Sequence, residues 1–177
     1  MSKWISFVLF ILTIPAANWM IGNVGTMCIP NGPCMIPVGL GLLAPSGVLL
    51  VGIAMVLRDW IHEQHGTRGA LVAIAIGGGL SALFAPPALV VASVAAFMLA
   101  EVADLAVYIP LRKRGLGLAV LGSGLIGSIV DSAIFLLLAF GSLQFIEGQI
   151  LGKLWMSALA FGFLHVASIR RVTAAHG

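Results

Sequence analysis

The stretch PSGVLLVGIAMVLRDWIHEQHG, from Pro45 to Gly66, decides how this chain folds. Its Pro-Ser-Gly opening reads as a helix entrance, because proline fits the first turn, where its missing N–H is no loss. A helix begun near Ser46 carries Arg58, Asp59 and His62 inside the inner half of a bilayer. The alternative is an earlier helix from Met35 to Leu57, which would leave Arg58 and Asp59 in the cytoplasm. Pro37, Gly39, Gly41 and Pro45 interrupt that earlier stretch, so the later start is preferred.

Working outward, the rest of the chain demands a membrane. Of 177 residues, 60% are apolar and only 8% charged, with a mean hydropathy of +1.14; a soluble domain carries roughly 25% charged residues. Six apolar runs emerge, at residues 4–21, 46–64, 67–84, 87–111, 116–140 and 149–169, which predict an all-α bundle of six transmembrane helices forming one domain over 1–177. At about 20 residues per crossing there is no room for an attached soluble domain. No phosphate-binding loop motif occurs, so ATP hydrolysis by this chain is not expected. The first run ends in Asn18-Trp19-Met20 rather than a small-residue cleavage site, so it reads as a retained helix.

Topology follows from the basic residues. Lys3, Arg68, Arg112, Lys113, Arg114, Arg170 and Arg171 fall on one side of this arrangement, and Lys153, near a helix start, is alone on the other. Both termini are therefore expected in the cytoplasm. The connection from Gly22 to Pro45 is uncharged and apolar, and it is expected to fold back into the mouth of the bundle. Within it, Cys28 and Cys34 flank Ile-Pro-Asn-Gly-Pro, a turn signal that could bring the thiols together on the oxidising side; a disulfide and two free thiols are both open.

An ionisable group at the centre of a membrane helix costs at least about 2.5–3.5 kcal/mol, so each one needs a partner, water or a ligand. In the fourth run Ser93, Phe97, Glu101 and Asp104 are spaced by four, four and three, which places them on one helix face. In the fifth, Ser123, Gly127, Ser128 and Asp131 form a second stripe. The second run brings Arg58, Asp59, His62 and Glu63, the sixth brings Lys153, Trp155 and His165, and the first adds Asn18. Converging faces would enclose the carboxylates of Glu101, Asp104 and Asp131, the donor fork of Arg58 and the amide of Asn18, a lining suited to a planar, polar, neutral molecule with several N–H donors. The competing reading makes Arg58 and a carboxylate an internal ion pair that locks the bundle, with Asp104 snorkelling to water. The glycines at 77–79, 124 and 127 are read as close-packing positions. His62 and His65 are too close for the usual metalloprotease pair, and the carboxylates have no nucleophile or metal partner, so neither an enzyme nor a metal or cofactor site is expected.

Three motifs in order carry a resemblance: Pro45-Ser46-Gly47 with LRDWIHEQHG at 57–66, Ala100-Glu101-Val102-Ala103-Asp104, and SGLIGSIVDS at 123–132. Together they resemble the VUT family, the vitamin uptake transporters also called queuosine precursor transporters. The resemblance implies a bacterial inner-membrane importer of 7-deazaguanine bases, preQ0 or preQ1, for salvage into transfer-RNA queuosine. It places Asn18, Asp59, Asp104 and Asp131 on family positions, and Glu101 where Gln is more usual. Ala88 stands where the family carries Arg, and His165 is read in place of a sixth-helix Lys. Phe97, Trp60, Tyr108 or Trp155 are the candidate stacking rings. The expected substrate-binding set is Asn18, Arg58, Asp59, Ser93, Phe97, Glu101, Asp104, Ser128 and Asp131. Expected partners are a small-molecule base and the bilayer, with no nucleic acid and with a homo-oligomer allowed. The alternative reading is a substrate-binding membrane subunit of a multi-subunit importer for a vitamin or purine-like compound.

Overall fold

A computed structural model describes residues 3–30 and 32–174; the side chains of Lys3, Ala88, Leu164, His165 and residues 167–174 lie outside that description. The readings made above for Lys3, Ala88, His165, Arg170 and Arg171 therefore fall outside the described side chains. In chain order the elements are α1 (Lys3–Asn23), β1 (Met27–Cys28), β2 (Cys34–Gly39), β3 (Leu42–Pro45), α2 (Val48–Phe84), a 3-10 turn (Pro87–Leu89), α3 (Val90–Arg112), α4 (Leu116–Phe140) and α5 (Ile146–Ala174). Among the described residues, four helices are long and apolar enough to cross a membrane: Trp4–Asn23, Val48–Phe84, Val90–Arg112 and Leu116–Phe140.

At 37 residues, α2 would span about 55 Å if straight, far more than a bilayer core of about 30 Å. It is not straight. Gly66 adopts φ 67° and ψ −173°, a conformation open to glycine and costly for other residues, and divides α2 into arms at 48–65 and 67–84. Contacts with α1 show that the arms run in opposite directions. The first arm is antiparallel to α1, with Gly47 against Ala17 at one end and Gln64 accepting a 2.7 Å hydrogen bond from Ser6 at the other. The second arm returns alongside α1, so that Gly77 lies against Phe10 and Pro86 beside Gly22. Counting both arms, the six helical segments read from the sequence are present.

The connection between α1 and α2 departs from the all-α expectation. It forms a three-stranded antiparallel sheet, β1-β2-β3, with Met27 opposite Met35, Cys28 opposite Cys34 and Met35 opposite Pro45. Cys28 and Cys34 form a disulfide between directly paired residues, which settles the alternative left open above. The physical reason for the sheet is backbone supply. A charge-free segment folded onto an apolar bundle has little water for its N–H and C=O groups, and pairing strands satisfies them internally. The sheet is fixed to the helices by Ser46, whose hydroxyl donates to the Met20 carbonyl at 2.7 Å, and by the close approach of Gly148 to the Leu43 backbone.

Helix α3 packs most extensively on α4. At Gly127 a Cβ would stand 2.9 Å from the Asp104 Cβ and 3.1 Å from its carboxylate, so glycine here sets the α3–α4 separation, whereas a Cβ at Gly124 meets open space. Replacing Gly127 by Ala is expected to cost about 1–3 kcal/mol through overpacking, while Gly124→Ala stays within about 0.5 kcal/mol. Thermal unfolding of the two variants in detergent checks this; equal melting temperatures would overturn it.

Candidate functional site

The polar groups are arranged in layers along the bundle. Nearest the sheet lies a small, partly open cavity of about 80 Å³, below the range of about 300–1,000 Å³ usual for small-molecule sites, so a bound solute requires its walls to move apart. Every helical segment contributes to its wall: Asn18 from α1, Val48 and Ser81 from the two arms of α2, Ser93 and Phe97 from α3, Asp131 and Phe135 from α4, and Gln149 and Lys153 from α5. Pro45, the last residue of β3, completes the wall on the sheet side.

Lys153 organises this cavity. It is 1% exposed, and its ammonium donates to Asp131 Oδ2, to Ser132 Oγ at 2.7 Å and to Gln149 Oε1 at 2.9 Å. Three acceptors use all three N–H bonds of an ammonium, so the charge is answered from within the protein. Asn18 donates its amide to the Ile14 carbonyl one turn back at 2.9 Å, which turns the Oδ1 end of the side chain away from its own helix. Ser93 and Phe97 sit one turn apart on α3, as their spacing requires.

A second layer lies toward the opposite end. Arg58 is fully buried and meets three carboxylates: Asp59 at 2.8 Å from its own helix, and Glu101 at 2.8 Å and Asp104 at 2.6 Å from α3. Its donor fork is thus turned onto protein groups. Asp104 is 0% exposed, which rules out the snorkelling reading. Ser128 is also buried, with its hydroxyl 3.7 Å from the Met55 sulfur rather than on the cavity wall. Beyond this layer, Arg112 grips Glu63 with two hydrogen bonds at 2.7 and 2.8 Å, and Tyr108 donates to the same carboxylate at 3.0 Å.

Of the nine residues expected to bind a substrate, the structure brings Asn18, Ser93, Phe97 and Asp131 together on the cavity wall. It groups Arg58, Asp59, Glu101 and Asp104 in the separate layer beneath and leaves Ser128 in the helix packing. Two of the stacking candidates are displaced. Tyr108 is committed to Glu63 and to the edge of His62, and Trp155 is 58% exposed. Trp60 packs with the core cluster around Phe10 and Tyr108. Phe97 remains, and Phe135 joins it.

Gln149 and Ser81 are cavity residues that the sequence reading does not single out, and Lys153, named there among the polar residues of the sixth run, is absent from the expected binding set. Lys153 was read as a marker of the outer side, but α5 begins at Ile146, about two turns earlier, which draws Lys153 into the interior. With it removed from the count, the asymmetry of basic residues is sharper than it first reads, and α5 does supply a lysine to the bundle. A cue is present in the sequence: Lys153 is the one Lys, Arg, Asp or Glu in the apolar run between Glu147 and Arg170. Among the described residues no group of three or more His, Cys, Asp or Glu is arranged to hold a metal ion. A larger depression between α1, the first arm of α2 and α5 is lined by Leu9, Leu12, Ile53, Met156 and Leu159, and its one polar side chain, Thr13, donates its hydroxyl to the Phe10 carbonyl.

Four helices long and apolar enough to cross a membrane, among the described residues, and a small cavity between the helices with a few polar side chains on its wall are the features of a multi-pass membrane protein. Residues 81–167 match the family model described as "Putative vitamin uptake transporter", in line with the resemblance to the VUT family carried by the sequence motifs. The match opens on the cavity residue Ser81 and takes in Glu101, Asp104, Asp131, Gln149 and Lys153; Arg58 and Asp59 precede it. No curated protein and no solved structure matches the chain.

The two charged layers predict different sensitivities. Arg58→Met leaves three buried carboxylates without their cation and is expected to cost about 3–5 kcal/mol of stability. Arg112→Met, at a partly exposed pair, should cost only about 0.2–1 kcal/mol. Denaturation of both variants in the same detergent checks the contrast, and a mild effect at Arg58 would refute the view that this layer holds α2 to α3.

Proposed function

We propose that this chain imports a queuosine precursor, a 7-deazaguanine base such as preQ0 or preQ1, across a bacterial inner membrane for salvage into transfer RNA. The observation that carries the reading is the cavity whose wall brings Asp131, Asn18 and Ser93 together with the ring of Phe97, in a chain whose residues 81–167 match the vitamin uptake transporter model. A flat base rich in N–H donors matches a carboxylate acceptor beside an aromatic face, and the lack of net charge of preQ0 suits a site whose own ammonium is already neutralised by Asp131, whereas preQ1 brings a cationic aminomethyl group that needs an acceptor of its own.

In this reading all six helical segments cross the bilayer, and the end carrying Arg68, Arg112, Lys113 and Arg114 is cytoplasmic. The sheet and the cavity then lie toward the outside, and the Arg58 layer, which ties α2 to α3 beneath the cavity, closes the path to the inside. Transport requires that layer to part and the cavity to be exposed to each side in turn. Asn18, Ser93, Phe97 and Asp131 hold the base, while Arg58, Asp59, Glu101 and Asp104 form the inner barrier that rearranges.

Uptake of labelled preQ0 and preQ1 tests this in cells that lack both their own synthesis and their own importer. The wild-type protein should restore uptake, and Asp131→Asn, at equal membrane abundance, should lower it about 10- to 100-fold through loss of a charge-assisted hydrogen bond. Absence of uptake by a well-folded wild-type protein would sink the deazaguanine assignment in a host without further subunits.

A further inference from the structure

Gln149 is 2% exposed, lies on the cavity wall, and its Nε2 has no hydrogen-bond partner. A buried amide N–H₂ left without an acceptor costs roughly 1–3 kcal/mol, so such a group in a cavity is an unfilled recognition element unless something else explains it. Its orientation is dictated by Lys153. An ammonium has only donors, so it draws Oε1 of Gln149 toward itself at 2.9 Å and turns the N–H₂ end the other way. The same ammonium holds Oδ2 of Asp131, and Oδ1 of Asp131 carries no hydrogen bond among the described residues. Resting on one cation, the two side chains are held next to each other, with a free donor on one and a free acceptor on the other.

We propose that Gln149 and Asp131 together read the lactam edge of the bound ring, Gln149 donating Nε2–H to the ring carbonyl oxygen while Oδ1 of Asp131 accepts the adjacent ring N–H. This rests on the reading of the cavity as the site of a nitrogen heterocycle, and it adds which edge of the ring selects it. Lys153 acts as a positioning residue, since its three donors are all engaged. A ring with an amino group in place of the carbonyl has a donor facing a donor at Gln149 and a lone pair facing a carboxylate at Asp131. Both contacts turn repulsive, and a site built around fixed polar partners discriminates strongly against such an exchange.

The experiment is equilibrium binding to the purified full chain in lipid nanodiscs, using 7-deazaguanine, 7-deazahypoxanthine and 7-deaza-2,6-diaminopurine as probes. The two lactams should bind at least about 30-fold more tightly than the diamino ring. Gln149→Glu, which replaces the donor by an acceptor, should narrow that ratio at least about tenfold, and Gln149→Met, which removes the donor with little change of size, should narrow it in the same direction. If the wild-type protein binds the rings without preferring the lactams, or if both variants weaken all three rings alike, Gln149 only shapes the cavity and the inference falls, while the transport reading stands. If a folded wild-type protein binds none of the three rings, the reading of the cavity itself fails first.

Discussion

A guanidinium that is completely buried must be answered on each of its donor faces, and much of this bundle is arranged to answer Arg58. Asp59 does so locally, but Glu101 and Asp104 arrive from α3 at 2.8 and 2.6 Å, and they can arrive only if α3 lies close along the first arm of α2. Asp104 in turn requires the bare backbone of Gly127 behind it, which draws α4 to α3. One cation thus sets the relation of three helices. Lys153 does the same for α4 and α5 through Asp131 and Ser132, one layer nearer the sheet.

The two cations differ in what they leave over. Around Arg58 the carboxylates outnumber the cation and are turned inward onto it, so the layer is a closure. Around Lys153 the ammonium is used up, but its partners are not: Asp131 keeps an oxygen and Gln149 keeps an amide for the cavity. Unpartnered oxygens remain in the Arg58 layer as well, at Asp104 Oδ1, but none of its residues lines the cavity; the distinction between a lock and a binding surface therefore rests on whether the unused hydrogen-bonding capacity lies on the cavity wall, and the number of charges present does not decide it.

Much of this was legible in the sequence. Apolar runs bounded by Pro, Gly and basic clusters marked the helical segments, because helix length and the cost of exposed backbone in lipid leave few alternatives. The spacing of Ser93 and Phe97, and the placement of Asp131 amid small residues, pointed at the cavity wall for the same reason. What could not be read was anything decided at long range. The strand at 34–39 contains Pro37 and Gly39, which locally signal a loop, and only the pairing partners make it a strand. The presence of carboxylates near Arg58 was foreseeable, but which of them it would meet depended on helix packing. Gln149 escapes the sequence reading, and Lys153 is left out of the expected binding set, because both sit where a helix start looks interfacial; the three extra residues from Ile146 to Gly148 are enough to sink them.

Pro45 belongs at once to β3, where it pairs with Met35, and to the wall of the cavity, three residues before α2 begins its run at Val48. The cap over the cavity is consequently spliced into the walls instead of being hung beside them. Its disulfide stiffens the β1–β2 pairing, Ser46 ties it to the last turns of α1, and Leu43 presses on the start of α5. A flap that swings on a hinge is not available to such a part. Opening on this side has to be a rocking of whole helices with the sheet riding on them, much as a keystone moves only when the arch does.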